Sequence, residues 1–272
     1  MAEKDSVLLA PSVMERLSLS GRVCLLTGAA SGIGRAIAHA LADAGGSVAL
    51  VDKDPAAADV VAQEIAERNP GAPTLVIEAD VTEAQDMERA VSRTVEEFGE
   101  LSVGINNAGI AQWSDAMEMS EEDLRRMFDV NVYGVFYGAV AQARQMAAKG
   151  YGKIINTASI SGYIANRPQS QSHYNAAKSA VLGFTRSLAV EWVDRGIRVN
   201  SISPGYTRTA LVDHFLGTPP GAEALPSWLD RTPMRKLADP TDLQGAVVFL
   251  ASAASDFITG SDIVIDGGYL AA

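Results

Sequence analysis

Short apolar and β-branched runs alternate along this chain with longer stretches in which apolar residues recur every three to four positions. "RVCLLTG" precedes a helical period over residues 33–44, "SVALVD" precedes 56–68, and "TLVIEAD" precedes 84–98. The rhythm continues through "LSVGINNAG", a helical stretch over 121–149, "GKIINTAS", another over 174–194, "IRVNSISPG", and "SDIVIDGG" after a helix near 243–251. Runs of that length bounded by turn residues predict strands, and the intervening period predicts helices. Strands apolar on both faces and joined by helices imply an α/β fold, with a doubly wound, seven-stranded parallel sheet and right-handed crossovers. One stretch breaks the pattern. Residues 206–237 hold four prolines in "GTPPGAEALPSW" and "DRTPM", which predicts a substrate-covering lid beside the strand ends. Within it Leu211, Phe215, Leu225 and Trp228 suggest a partly apolar cover. No linker or repeat interrupts the rest, so the reading is an N-terminal extension over 1–20 and a single domain over 21–272.

With 272 residues, of which 47% are hydrophobic, the chain can bury a sizeable core. Its 22 Lys and Arg against 33 Asp and Glu leave a formal charge of −11, without the basic excess that binding to a phosphate backbone requires. Nucleic acid is therefore not an expected partner. The single cysteine, Cys24, lies in an apolar run and reads as a buried strand residue. No apolar leader opens the first twenty residues and no stretch of 18 residues is free of charge, so the expectation is a cytoplasmic protein with no membrane partner. His39, His173 and His214 fall on separate elements with no acidic or thiol partners nearby, so no metal site is expected.

"TGAASGIG", residues 27–34, follows the first strand and opens the first helix. In that setting Gly28 permits the turn, Gly32 lets the backbone approach a pyrophosphate, and Gly34 lets helix and strand pack closely, while the helix N-terminus at Ser31 and Ile33 supplies free N–H groups. This is the dinucleotide-binding arrangement of a Rossmann fold. Asp52 ends the second strand eighteen residues after Gly34, where a carboxylate accepts both hydroxyls of an adenosine ribose. A 2′-phosphate ~4 Å from that carboxylate is repelled by about 1 kcal/mol per unit charge in water and ~4 at an effective dielectric of ~20, which favours NAD over NADP. Asp80 and Val81 end the third strand and Asn107, Ala108 and Gly109 the fourth, along the edge where adenine and ribose rest.

"SHYNAAK" places Tyr174 and Lys178 four residues apart, hence on one face of a helix. A tyrosine brought from ~10 to ~7 needs about 4 kcal/mol, roughly what one ammonium ~4 Å away supplies at an effective dielectric of ~20. Removing the proton of an alcohol calls for such a base, together with a donor that holds the oxygen. Ser159 ends the fifth strand on the same sheet edge, and Asn131 is an amide inside a long apolar helix, where it can anchor a water near Lys178.

These motifs together resemble the short-chain dehydrogenase/reductase family: the glycine loop, Asp80, Asn106 to Gly109, Asn131, Ser159, Tyr174 with Lys178, and Pro204-Gly205 fall in order from about residue 20 to the C-terminus. The resemblance implies Tyr174 as acid/base, Lys178 lowering its pKa and holding the nicotinamide ribose, Ser159 positioning the oxygen and Asn131 organising a proton relay. It also implies nicotinamide contacts after Pro204 and Gly205, from Thr207 and Thr209, and a homotetramer built on the two long central helices. The stretch "SISGYIANRPQSQSHY" is two residues longer than the usual family spacing and is similar to members acting on alditols and ketoses, such as galactitol, arabinitol or threitol dehydrogenases. That similarity implies Ser161 and Asn166 as contacts to a hydroxyl beside the reacting carbon; a simple turn at 166–168 is the other reading. The expected activity is NAD-dependent oxidation of a secondary alcohol, a small polyol. Two alternatives stand beside it: a carbonyl or 3-oxoacyl thioester reductase, which calls for a basic docking patch, and a catalytically inactive dinucleotide sensor.

Overall fold

In the computed structural model, which describes residues 11–272, the seven apolar runs become strands β1 (Val23–Thr27), β2 (Ser47–Asp52), β3 (Thr74–Glu78), β4 (Val103–Asn106), β5 (Gly152–Thr157), β6 (Ile197–Pro204) and β7 (Asp262–Ile265). They form one parallel sheet in the order β3-β2-β1-β4-β5-β6-β7. The chain winds outward from β1 through β3 and then returns to place β4 on the other side of β1. The carboxyl ends of β1 and β4 therefore splay apart at a topological switch point, where open sheets of this kind bind ligands. β1 and β4 are buried throughout, as their unbroken apolar character requires.

Helices α2 (Gly32–Asp43), α3 (Pro55–Arg68), α4 (Ala84–Phe98), α5 (Glu121–Phe128), α6 (Gly134–Ala147), α7 (Ser172–Trp192) and α10 (Gln244–Ala251) cover the two faces. Between them lie two cores, one around Ile37, Leu41 and Val247, the other around Met87, Met146 and Trp192. The short α1 (Val13–Leu17) starts with a reciprocal capping box between Ser12 and Glu15. Residues 1–10 of the expected N-terminal extension lie outside the described residues. The chain joins the domain through Leu19, fully buried in the first core, and through an Arg16 N–H that donates to the Ala253 carbonyl at 3.0 Å. The expected boundary at residue 20 therefore marks no break in packing.

Two other expectations change. The long helical stretch 121–149 is not one α-helix, because a π-helical turn, Asp129–Tyr133, separates α5 from α6 and hands its last bond from the Gly134 N–H to the Asp129 carbonyl five residues back. The proline-rich lid is more regular than its composition implies. It forms α8 (Ala210–Leu216) and α9 (Pro219–Arg231), the latter capped by Thr218 and beginning with prolines that need no N–H there. Among the described residues no helix is long and apolar enough to cross a membrane.

Gly104 lies inside β4, where glycine weakens a strand, and its neighbours explain it. A Cβ at that position would overlap the Gln142 carboxamide. Gln142 and Asn106 exchange hydrogen bonds of 3.0 and 3.2 Å, Asn106 continues to Asn156 at 3.0 Å, and Asn156 donates to Thr185 at 3.0 Å. This buried amide ladder links β4 and β5 to α6 and α7 behind the sheet edge. Gly104→Ala displaces the Gln142 amide and leaves buried polar groups unpaired, so the midpoint of denaturant unfolding is expected to fall by the equivalent of about 2 kcal/mol.

Candidate active site

The carboxyl edge of the sheet opens into a cavity of about 880 Å³ that runs from the glycine loop and Asp52 to Ser159, Tyr174 and Lys178. At its first end Gly28 and Gly32 have φ of +66° and +52°, which a side chain strains to adopt. A Cβ on Gly34 would overlap the Gly28 carbonyl, so close contact between α2 and the turn depends on that glycine. Ser31 caps α2 without a side-chain bond, and Ser31 to Gly34 line the cavity, so the first N–H groups of the helix are left for a ligand. These features fit the phosphates of a dinucleotide. Asp52 fits its ribose: one oxygen accepts the Ala30 N–H at 3.0 Å and the other the Asp54 N–H at 3.1 Å, which pins the carboxylate at the rim.

Further along the edge, Asp80, Val81, Asn107, Ala108 and Gly109 line the cavity. The Asp80 carboxylate is held by Thr82, through both its N–H and its hydroxyl. Asn107 ties the strand ends together, donating to the Thr27 and Gly28 carbonyls and accepting from Thr157. Pro204, Gly205, Thr207 and Thr209 form the far wall. There the Thr209 hydroxyl caps α8 by accepting the Val212 N–H.

The π turn carries Asn131 to the cavity, where its Oδ1 accepts the Ile110 N–H at 3.2 Å and its Nδ2 donates to the Ile110 carbonyl at 2.9 Å. Both ends of this buried amide are occupied, and Gly109 leaves room for it, since a Cβ there would stand 2.7 Å from Asn131 Oδ1. Ser159 sits past the end of β5, and its Oγ accepts the Ser161 N–H at 3.1 Å. The serine proton is thereby left to point elsewhere. Lys178 Nζ donates to the Thr157 carbonyl at 2.8 Å and stands 5.7 Å from the centroid of the Tyr174 ring.

Electrostatics here depart from the sequence reading. Burial pushes the Tyr174 phenol up from its ordinary value of 10, and the group that opposes the shift is the Ser159 hydroxyl, not Lys178. Burial also brings the Lys178 ammonium down to about 8. Both groups lose water together, and burial is the largest cause of both shifts.

Ser161 lines the cavity, whereas Asn166 does not. Asn166 stands behind the wall, donating to Tyr206 Oη at 3.0 Å and accepting from Gln171 Nε2 at 3.0 Å. The wall itself is completed by Gln169 and Gln171, which sequence reasoning passed over. Gln169 joins the wall to the lid, accepting from Trp228 Nε1 at 3.0 Å and donating to Tyr206 Oη at 2.9 Å. Trp228 stacks on Tyr206 and Phe215 on Trp113, so the lid is an aromatic layer over a polar floor. Of the four expected cover residues, Leu211 and Trp228 line the cavity, while Leu225 and Phe215, the latter packed with Trp228, do not. Among the described residues, no group of three or more His, Cys, Asp or Glu side chains could hold a metal ion.

A family model described as enoyl-(acyl carrier protein) reductase matches residues 28–270. Galactitol 2-dehydrogenase (L-tagatose-forming) of Cereibacter sphaeroides is 41% identical over 251 residues, 92% of this chain and 96% of the relative. A probable NADP-dependent mannitol dehydrogenase of Yarrowia lipolytica is 38% identical over 95% of this chain and 91% of its own length. The crystal structure of a short-chain type dehydrogenase/reductase from Mycobacterium marinum superposes with a TM-score of 0.89 at 43% identity, covering 95% of this chain and 99% of that one.

Proposed function

Since this chain belongs to the short-chain dehydrogenase/reductase family, we propose that it oxidises a secondary hydroxyl of a small polyol to the ketone, with NAD as acceptor. The observation that carries the reading is the composition of the wall beside Ser159 and Tyr174: Ser161, Gln169 and Gln171 offer hydroxyl and amide groups where a simple alcohol would want apolar side chains. A nicotinamide dinucleotide, held by the glycine loop and Asp52, would supply the two-electron chemistry at carbon. In this reading Tyr174 takes the alcohol proton, Ser159 donates to the substrate oxygen, Lys178 would bind the nicotinamide ribose, and Asn131 keeps the adjoining loop in place through Ile110. The similarity to galactitol and mannitol dehydrogenases supports the substrate class.

Initial rates with C4 to C6 alditols and NAD, compared with an acetoacetyl thioester and NADPH, test the proposal. Oxidation of at least one alditol with the thioester left unreduced is expected, and the opposite pattern would sink it. The choice of NAD rests on Asp52. Because one of the similar proteins is named for NADP, the ratio of kcat/KM for NAD over NADP is the deciding quantity. It is expected to lie at about 10–1000, and Asp52→Ser is expected to lower it at least tenfold. A cytoplasmic homotetramer belongs to the same reading. Tyr133 and Val190, exposed apolar residues on the π turn and α7, support burial against a second copy, which sedimentation measures.

A further inference from the structure

Gln171 stands at the N-cap of α7, where Ser, Thr, Asp or Asn ordinarily stabilises a helix, yet its side chain makes no capping bond. That side chain, in a residue only 8% exposed, enters an amide cluster instead. Its Nε2 lies 3.2 Å from Ser161 Oγ, 3.0 Å from Asn166 Oδ1 and 3.0 Å from Asn175 Oδ1.

The cluster fixes which way the amide faces. Asn175 Nδ2 donates to the Ile164 carbonyl at 3.0 Å, and a carbonyl only accepts. Asn175 must therefore present its oxygen to Gln171, and only the nitrogen of Gln171 can meet an oxygen. With Nε2 committed to the cluster, Oε1 is turned away from it and receives no hydrogen bond from the described residues. Nor is Oε1 sealed in the interior, as both ring nitrogens of the adjacent His173 are. Gln171 lines the cavity with Ser159, Ser161 and Tyr174, so this acceptor belongs to the same wall as the reacting groups. Nε2 carries two protons for three oxygens, so the longest contact, to Ser161, is at best shared; Ser161 Oγ donates to none of the described residues and keeps its own proton to give.

We propose that Gln171 is a specificity-determining residue: its Oε1 accepts a hydrogen bond from a substrate hydroxyl next to the reacting carbon, while Ser161 donates to that same hydroxyl. The inference rests on the polyol reading above and sharpens it. An acceptor held in this way selects a neutral hydroxyl. It disfavours a carboxylate, which has no proton to give, and a hydrocarbon, which leaves the amide oxygen unpaired after water is displaced.

The test compares kcat/KM for a hexitol with that for 2-hexanol in the wild type, Gln171→Leu and Gln171→Asn, with NADH fluorescence titration reporting an intact cofactor site. In Gln171→Leu the hexitol-to-hexanol ratio is expected to fall about 10–100-fold, mainly through KM for the hexitol. Gln171→Asn keeps an amide but retracts its oxygen by one carbon, so its ratio falls as well. It carries the test by itself if the leucine variant does not fold. A purely structural role would depress both alcohols together, and a ratio within twofold of wild type in either folded variant overturns the proposal. A wild-type protein that oxidises neither alcohol, or only 2-hexanol, removes the polyol reading first and this inference with it.

Discussion

Tyr174→Phe is expected to lower kcat by about 10²–10⁴-fold while leaving the affinity for NADH within a few-fold of wild type. The aromatic ring stays, so packing against the wall is kept, and only the hydroxyl that exchanges the proton is lost. The pH dependence has a definite sign. Burial raises the phenol, and the oxidative direction uses the phenolate, so wild-type kcat for alcohol oxidation rises with pH above neutrality. Ketone reduction uses the protonated form and falls over the same range. In the phenylalanine variant the residual rates lose both slopes. Stopped-flow measurement of NADH appearance across that range reads the result; a variant with near-normal turnover removes Tyr174 from the mechanism. An oxidised nicotinamide carries positive charge, which would favour the phenolate against the burial that raises the phenol.

What the chain revealed in advance, and what it did not, follows from the range of the interactions. Strand β1, the glycine loop and α4 were legible because an unbroken apolar run, a local glycine requirement and a period of 3.6 residues are each written in adjacent positions. The π turn was not, since a one-residue slip in the hydrogen-bond ladder barely alters the apolar period over 121–149. Gly104 has no explanation within its own strand because its partner, Gln142, is brought to it by the β4–α6 contact and not by sequence. Asn166 was expected on the cavity wall, but its amide is drawn to Tyr206 and Gln171 behind it. Gln171 did leave a local trace, a glutamine where a capping residue belongs. That is a broken local preference of the sort that marks function, though its meaning depends on Asn175 and Ser161 being in place.

Lys178→Met is expected to abolish useful turnover and, in the cofactor-free protein at pH 7, to raise the melting temperature. The ammonium is buried and its pKa is brought from 10.5 to about 8, so at pH 7 the folded state holds a charge that water would solvate better. A depression of that size corresponds to a destabilisation on the order of 3 kcal/mol below the folded pKa. The sign follows from proton binding: between about 8 and 10.5 the unfolded chain binds the proton and the folded one does not, so this penalty fades as pH rises through that window. Methionine fills similar volume without charge, but it forfeits the bond to the Thr157 carbonyl, which offsets about 1–2 kcal/mol of the gain. The net expectation is a rise of about 2–6 °C at pH 7 that vanishes or reverses near pH 10, where the wild-type amine is already neutral. Other titrating groups are common to both proteins and cancel in the difference. If the methionine variant melts lower at pH 7, or the gap between the two is the same at both pH values, Lys178 is not held at a cost to the fold. A rise at pH 7 joined to lost turnover would instead identify Lys178 as a charge retained against stability for its contacts with phenol and cofactor.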